Sequence, residues 1–307
     1  MSQPVQSVIN ASTRLCAVMG SPIRHSASPA MHNAAFAALG LNWRYLAFEV
    51  DPKNLCAAID GARAMGFAGL NLTVPHKLLA VDMVDALDAS AKTWGAVNVI
   101  KFDSGAGILP ANSSHTGKMP MPLKARATGY NTDADGLVNS LREDLALELC
   151  GLKVLLLGAG GAGRTAALKL ASEKVAELFL VNRTQNKVED IAREIKTQFP
   201  DVKVAANYPK QAVDLILNAT SLGLKAEDAS PLDGKQFSFK QTRAVYDMIY
   251  CPAETALLKA AKAAGCRTAN GLGMLLHQGA KAFEIWTGQS APIKVMRRAL
   301  EQNIYGH

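Results

Sequence analysis

Two kinds of apolar pattern take turns along the chain, and together they predict an α/β protein. Short runs rich in apolar residues, as in strands buried on both faces, fall at Leu15–Met19, Trp43–Val50, Ala68–Thr73, Val154–Leu157, Leu178–Val181, Asp214–Asn218 and Ala244–Met248. Helical segments are expected between and after them: an Ala-rich stretch ending near Gly40, Pro52–Met65, a segment from Asp133 to about Leu147, and Thr165–Ala171. Two more follow, one opening at the Asn270 stretch and reaching about Thr287, the other an amphipathic helix over Pro292–Asn303. This alternation implies two α/β units. The expected division gives an open α/β sheet domain over residues 1–132, completed by C-terminal helices within 272–307. A Rossmann-type domain spans 133–271, with a cleft between the two.

The most informative stretch is Lys153–Ala167. After the apolar run, Gly158, Gly160 and Gly163 stand at G-x-G-x-x-G spacing, with Ala159, Gly161 and Ala162 completing the turn. Gly158 permits the tight turn, Gly160 lets backbone N–H groups approach a pyrophosphate, and Gly163 lets helix and strand pack closely. The helix N-terminus adds unpaired N–H donors and a partial positive charge. A glycine-rich turn with no ligand is the alternative, but a strand before and a helix after favour a dinucleotide. The next strand ends in Asn182-Arg183-Thr184, with Lys187 close behind. An acid here would bind a ribose 2′-hydroxyl; its absence beside two cations points to the 2′-phosphate of NADP. Ala219, Thr220 and Ser221 form the loop after the Asp214–Asn218 strand, the place for the nicotinamide ribose.

Composition narrows the class further. The 307 residues are 49% apolar, enough for two ordinary cores and too apolar for disorder. The formal net charge of +7 is scattered, so it favours small anions slightly and gives no footprint for nucleic acid. Cys16, Cys56, Cys150, Cys251 and Cys266 form no CxxC pair and no metal-ligand cluster with the six histidines, as expected of thiols in a reducing compartment. Residues 1–14 lack a signal-peptide core, and no apolar run approaches the roughly 18 residues of a membrane span. A cytoplasmic protein with no metal, no membrane and no nucleic-acid partner is expected.

The first half carries a second set of polar residues. Ser26 and Ser28 precede Pro29 at a helix start, where they could face a ligand or simply cap the helix. Asn71 and Thr73 lie on an extended segment, and Lys77 stands just past its end, where open α/β sheets bind ligands and where lysines are also often plain surface. Asn98 closes a strand-like segment, and Asp133 stands at or before a helix, where it could be a ligand group or an N-cap.

In these pieces, taken in order upstream of the glycine turn, the chain resembles the shikimate dehydrogenase family over nearly its whole length. They are Gly20-Ser-Pro-Ile-x-His-Ser-x-Ser-Pro29, Asn71-x-Thr-Val-Pro-x-Lys77, Gly95-Ala-Val-Asn98 and Asn131-Thr-Asp133. The resemblance implies reversible, NADPH-dependent reduction of 3-dehydroshikimate to shikimate, a step toward chorismate and the aromatic amino acids. It further implies that Ser26 and Ser28 hold the substrate carboxylate and that Asn71, Thr73, Asn98 and Asp133 bind ring hydroxyls. Lys77 and Asp133 would be the catalytic pair. Tyr250 and Gln278 would lie near substrate, with Met248 and Gly271 at the nicotinamide; from the residues alone Met248 reads as core packing. The chemistry suits the residue types, because a developing alkoxide needs a proton and a nearby positive charge.

Three features depart from the family pattern. Ala134 follows Asp133 where glycine is usual, Val99 follows Asn98 where threonine is usual, and the connection over 101–128 is long and rich in Gly, Pro and Ser. That connection reads as a surface excursion, a lid or a homodimer contact. They leave room for a relative that uses quinate or aminoshikimate, although Ser28, rather than threonine, is the shikimate-like choice. A non-catalytic sensor of ligand and cofactor is the alternative of another class; retention of both Lys77 and Asp133 argues against it.

Overall fold

The computed structural model describes residues 9–103, 125–225 and 227–306. Residues 104–124 of the long connection, and with them the lid and dimer-contact readings, lie outside these. The chain divides into two compact units: residues up to Thr132 with Gly279–Asn303, and Asp133–Gln278 with residues from Ile304 onward.

The first unit contains β1 (Arg14–Gly20), α1 (Ser28–Ala38), β2 (Trp43–Glu49), α2 (Leu55–Ala64), β3 (Gly69–Leu72), α3 (His76–Leu79), β4 (Ala86–Leu87), α4 (Ala89–Trp94), β5 (Val99–Phe102) and β6 (Ala127–Tyr130). The strands form one sheet in the order β2-β1-β3-β5-β6-β4. Only β5 pairs antiparallel to its neighbours. Cys16–Met19 of β1 are buried throughout, which is why this strand reads as an unbroken apolar run. The expected Pro52–Met65 helix splits, because Asp51 caps a separate 3₁₀ turn at Pro52–Asn54 before α2 begins.

The second unit contains α5 (Asp133–Leu145), β7 (Lys153–Leu157), α6 (Gly161–Ser172), β8 (Glu177–Val181), α7 (Gln185–Gln198), β9 (Lys203–Ala205), β10 (Val213–Asn218), β11 (Thr242–Asp247), α8 (Ala256–Ala263) and β12 (Arg267–Asn270). Helix α9 (Leu272–Thr287) begins here and crosses the division at Gln278; α10 (Ile293–Tyr305) follows it. The sheet is wholly parallel, in the order β12-β11-β10-β7-β8-β9. Counted from β7 this is 3-2-1-4-5-6, the doubly wound order of dinucleotide-binding sheets.

Each unit has its own core. In the first, Leu70, Ile100, Leu55 and Ile59 pack between sheet and helices. A ring cluster of Phe36, Tyr45, Phe283 and Trp286 fills a second layer. Trp286 donates its indole N–H to the carbonyl of Ile100 at 3.0 Å, satisfying its polar atom inside that core. In the second, Leu155, Leu157, Ile216, Val245 and Leu258 do the same work. Each large side chain removed from water in this way stabilises its unit by about 1.5–3 kcal/mol.

Candidate functional site

In both sheets the candidate residues gather where the strand order reverses, the place where open α/β sheets bind ligands. In the first unit that point lies between β1 and β3. Ser26 and Ser28 follow β1; Thr73 and Lys77 follow β3. Gly20 makes the approach feasible, since a Cβ there would lie 2.4 Å from Cγ2 of Thr73.

The helix-cap reading of the two serines fails. Ala27 occupies the N-cap of α1 and makes no side-chain cap bond, while Pro29 fills the first turn. Ser26 Oγ instead accepts the backbone N–H of Ser28 at 3.4 Å, and Ser28 is buried. Asn71 is buried in β3, Thr73 is half-buried, and Lys77 is half-buried in α3 rather than free on the surface. The Lys77 carbonyl accepts the N–H of Val97 at 2.8 Å, which fixes α3 against the segment leading to Asn98.

Asn98 was expected at the end of a strand; it immediately precedes one, β5. Because β5 runs against β3, its start and the end of β3 share one sheet edge. The carbonyl of Asn98 accepts from the N–H of Leu72 at 2.9 Å and from Nδ2 of Asn71 at 3.1 Å. Its carboxamide accepts the N–H of Thr132 at 2.8 Å and donates to Thr132 Oγ1 at 3.0 Å. Val99 is fully buried in the core, so an apolar side chain suits that place.

Two residues that sequence reasoning missed belong to this network. Tyr45 donates its hydroxyl to Oδ1 of Asn71 at 2.6 Å, and Thr132 closes the Asn98 carboxamide. A tyrosine buried on a strand requires a partner for its O–H, which is the only sequence signal Tyr45 offered.

In the second unit the reversal falls between β7 and β10. Gly158 has φ +107°, and a Cβ there would meet the backbone of Ala219 at 2.9 Å. A Cβ on Gly163 would lie 2.1 Å from the carbonyl oxygen of Gly158, so this glycine is what lets α6 seat on the turn. At Gly160 and Gly161 a Cβ would meet nothing within 4 Å. The helix opens at Gly161, earlier than the expected Thr165, so the N–H groups of Gly161, Ala162 and Gly163 form its N-terminus. This open cradle with unpaired donors fits a pyrophosphate.

Asn182 serves the turn from within: its Oδ1 accepts the N–H of Ala159 at 3.2 Å and its Nδ2 donates to the carbonyl of Thr184 at 3.1 Å. Arg183, Thr184 and Lys187 are exposed beyond β8. The residue after β8 is Asn182 rather than an acid, which suits a 2′-phosphate. Beneath the Ala219–Ser221 loop lies a buried carboxylate that sequence reasoning also missed. Asp247 accepts from Asn218 Nδ2 at 2.9 Å, the N–H of Ile249 at 3.1 Å and Thr255 Oγ1 at 2.7 Å. Asn218 in turn holds the N–H and hydroxyl of Thr220. Asp247 thereby ties the Ala219–Ser221 loop to the segment carrying Met248 and Tyr250. Burial pushes its carboxyl up from the usual range.

Met248 is half-buried, and Gly271 sits so tightly against it that a Cβ would lie 2.0 Å from the Met248 carbonyl oxygen. The carbonyl of Tyr250 accepts the hydroxyl of Tyr305 at 2.8 Å. Asp133 is the first residue of α5 and buried. Ala134 continues the helix, so the lost glycine costs no backbone strain. One turn on, a Cβ at Gly136 would lie 2.9 Å from that of Gln278, and this glycine lets α5 and α9 meet. Among the described residues no cluster of His, Cys, Asp or Glu could hold a metal ion, and no helix is long and apolar enough to cross a membrane.

A 3-2-1-4-5-6 sheet with its glycine cradle at the switch point, joined to a second α/β unit rich in hydroxyl and amide groups, defines a two-unit dinucleotide-binding protein. Family models narrow the class: the shikimate dehydrogenase substrate binding domain matches residues 18–100, shikimate / quinate 5-dehydrogenase matches 140–225, and the shikimate 5′-dehydrogenase C-terminal domain matches 271–301. The shikimate dehydrogenase (NADP(+)) of Methanopyrus kandleri is 38% identical over 96% of this chain and 98% of its own. A crystal structure of shikimate dehydrogenase in complex with NADP+ superposes with TM-score 0.83 at 37% identity, over 98% of this chain and 99% of that one. The ligand-free 5-ketofructose reductase of Gluconobacter sp. strain CHM43 has TM-score 0.79 at 32% identity, over 95% and 99%. The chain belongs to the shikimate dehydrogenase family.

Proposed function

We propose that this protein is an NADP-dependent shikimate dehydrogenase, reversibly reducing 3-dehydroshikimate to shikimate as part of chorismate and aromatic amino acid biosynthesis. The observation that carries the reading is the gathering of Ser28, Asn71, Thr73, Lys77 and Asn98 at one switch point, in a chain whose other sheet carries a complete dinucleotide cradle. We assign the substrate carboxylate to Ser26 and Ser28, and the ring hydroxyls to Asn71, Thr73, Asn98 and Asp133. Tyr250 and Gln278 lie nearby in this reading. Such a set rejects analogues that lack the matching hydroxyls, because its buried polar groups would be left unpaired.

NADPH, when bound, supplies the hydride. The N–H groups at the start of α6 hold its pyrophosphate, Arg183, Thr184 and Lys187 its 2′-phosphate, and Ala219–Ser221, Met248 and Gly271 its nicotinamide end. Lys77 provides the proton for the oxygen that gains negative charge on reduction, and its ammonium stabilises that charge. Asp133 is the second member of the catalytic pair in this reading. In the oxidative direction neutral Lys77 accepts the hydroxyl proton. Substrate is the only partner the reading requires; we place the protein in the cytoplasm, away from membrane and nucleic acid, and free to form a homodimer.

Quinate and 5-ketofructose are the competing substrates. Val99 and Ala134 depart from the family pattern, and a 5-ketofructose reductase shares the fold at 32% identity. Purified protein assayed with shikimate and quinate against NADP+ and NAD+, and with 5-ketofructose against NADPH, separates these by nicotinamide absorbance. The reading predicts the highest kcat/KM for shikimate with NADP+. A higher value for either of the others would reassign the substrate.

A further inference from the structure

One residue outside the assigned set touches the substrate-binding edge. Tyr45 is fully buried on β2, and three contacts fix it. Asn33 bonds its backbone on both sides, accepting the Tyr45 N–H and donating to the Tyr45 carbonyl, each at 2.9 Å. His32 stacks on its ring with centroids 4.3 Å apart and planes 13° from parallel. Trp286 closes another side at 6.0 Å. Held this way, the Tyr45 hydroxyl reaches Oδ1 of Asn71.

We propose that Tyr45 is a positioning residue for the substrate: its hydroxyl holds the Asn71 carboxamide with one N–H to spare for the ligand. The inference rests on the shikimate reading above. The directions of the bonds follow from what each atom can do. The Asn98 carbonyl only accepts, so the Asn71 atom 3.1 Å away is Nδ2. Oδ1 of Asn71 therefore faces Tyr45 and only accepts, so the phenol O–H must donate to it. Of the two Nδ2 hydrogens of Asn71, one goes to Asn98 and the other has no acceptor among the described residues. That second N–H is the one a substrate oxygen meets. Without the phenol, Oδ1 would be a buried acceptor with no donor, and the carboxamide would turn away to find one.

Tyr45→Phe tests this cleanly, because it keeps the ring and its stack and deletes only the hydroxyl. The expected result is a roughly ten-fold rise in KM for shikimate, the size of one buried polar group left unpaired, with KM for NADP+ unchanged. A double-mutant cycle with Asn71→Ala supplies the decisive arm. If Tyr45 acts through Asn71, Tyr45→Phe adds no further rise in the Asn71→Ala background. An equal rise in both backgrounds, a parallel rise in KM for NADP+, or no change in the single variant would each overturn the proposal. A wild-type protein that neither binds nor turns over shikimate would overturn the functional reading and take this inference with it. Active wild type with an additive cycle overturns the inference alone.

Discussion

Lys77 owes its place to a bond that no sequence motif displays: the N–H of Val97 on its carbonyl, which pins the short helix α3 to the approach to β5. Its residue type and its distance from Asn71 were legible in the sequence; the helix beneath it was not, because four residues give too little periodicity. Lys77→Ala is expected to lower kcat by about a thousand-fold or more while KM for shikimate changes little, since proton and charge act on the transition state. A loss confined to KM would contradict the role. His32 behaves differently. Burial holds its imidazole down at about 3, so it is neutral in the folded protein at any ordinary pH. Unfolding exposes a ring that titrates near 6.5. The stabilisation is therefore whole above pH 6.5 and is lost as pH falls toward 3, by about 1.4 kcal/mol per pH unit. Denaturant unfolding at neutral and mildly acidic pH should show this slope in the wild type and a flatter one in His32→Phe. Equal slopes would show that His32 does not stay neutral when folded.

At the scale of elements, the glycine turn was the part most fully legible, because spacing, strand and helix coincide there. Its three glycines nevertheless have different physical reasons, and two substitutions separate them. In Gly163→Ala the new methyl would lie 2.1 Å from the Gly158 carbonyl oxygen, so α6 must shift off the turn. In Gly160→Ala the methyl enters open space at φ −79°, a value any residue adopts. The expected outcome is a lowered melting temperature for Gly163→Ala. Gly160→Ala should melt as the wild type does but bind NADP+ at least ten-fold more weakly, because the space it fills is the ligand's. Wild-type NADP+ affinity in Gly160→Ala would contradict the cradle. The start of β5 is illegible for a different reason: an apolar segment does not disclose its direction, and only the antiparallel pairing with β3 brings Asn98 beside the end of that strand. Tyr45, Thr132 and Asp247 were illegible for a related reason. Each acts through a hydrogen bond to a residue remote in sequence, and local pattern carries no information about it.

For the whole molecule, the two sheets solve the same problem twice. Each reverses its strand order once among parallel strands. At each reversal the loops carry polar groups beside exposed apolar ones, Val74 after β3 and Leu222 after β10. One set suits an anionic dinucleotide; the other suits a small ring bearing a carboxylate and hydroxyls. That two α/β units exist followed from the alternation of apolar runs. That the last helices serve both did not, since α9 crosses the division at Gln278 with no break in its sequence pattern. The central claim is transfer of a hydride from NADPH to the ketone carbon of 3-dehydroshikimate. It is tested most directly with NADPH deuterated at both C4 positions, incubated with 3-dehydroshikimate and the protein, and the product read by proton NMR. The account predicts shikimate with one deuterium on the newly formed carbinol carbon. Unlabelled shikimate, or no shikimate, would contradict it.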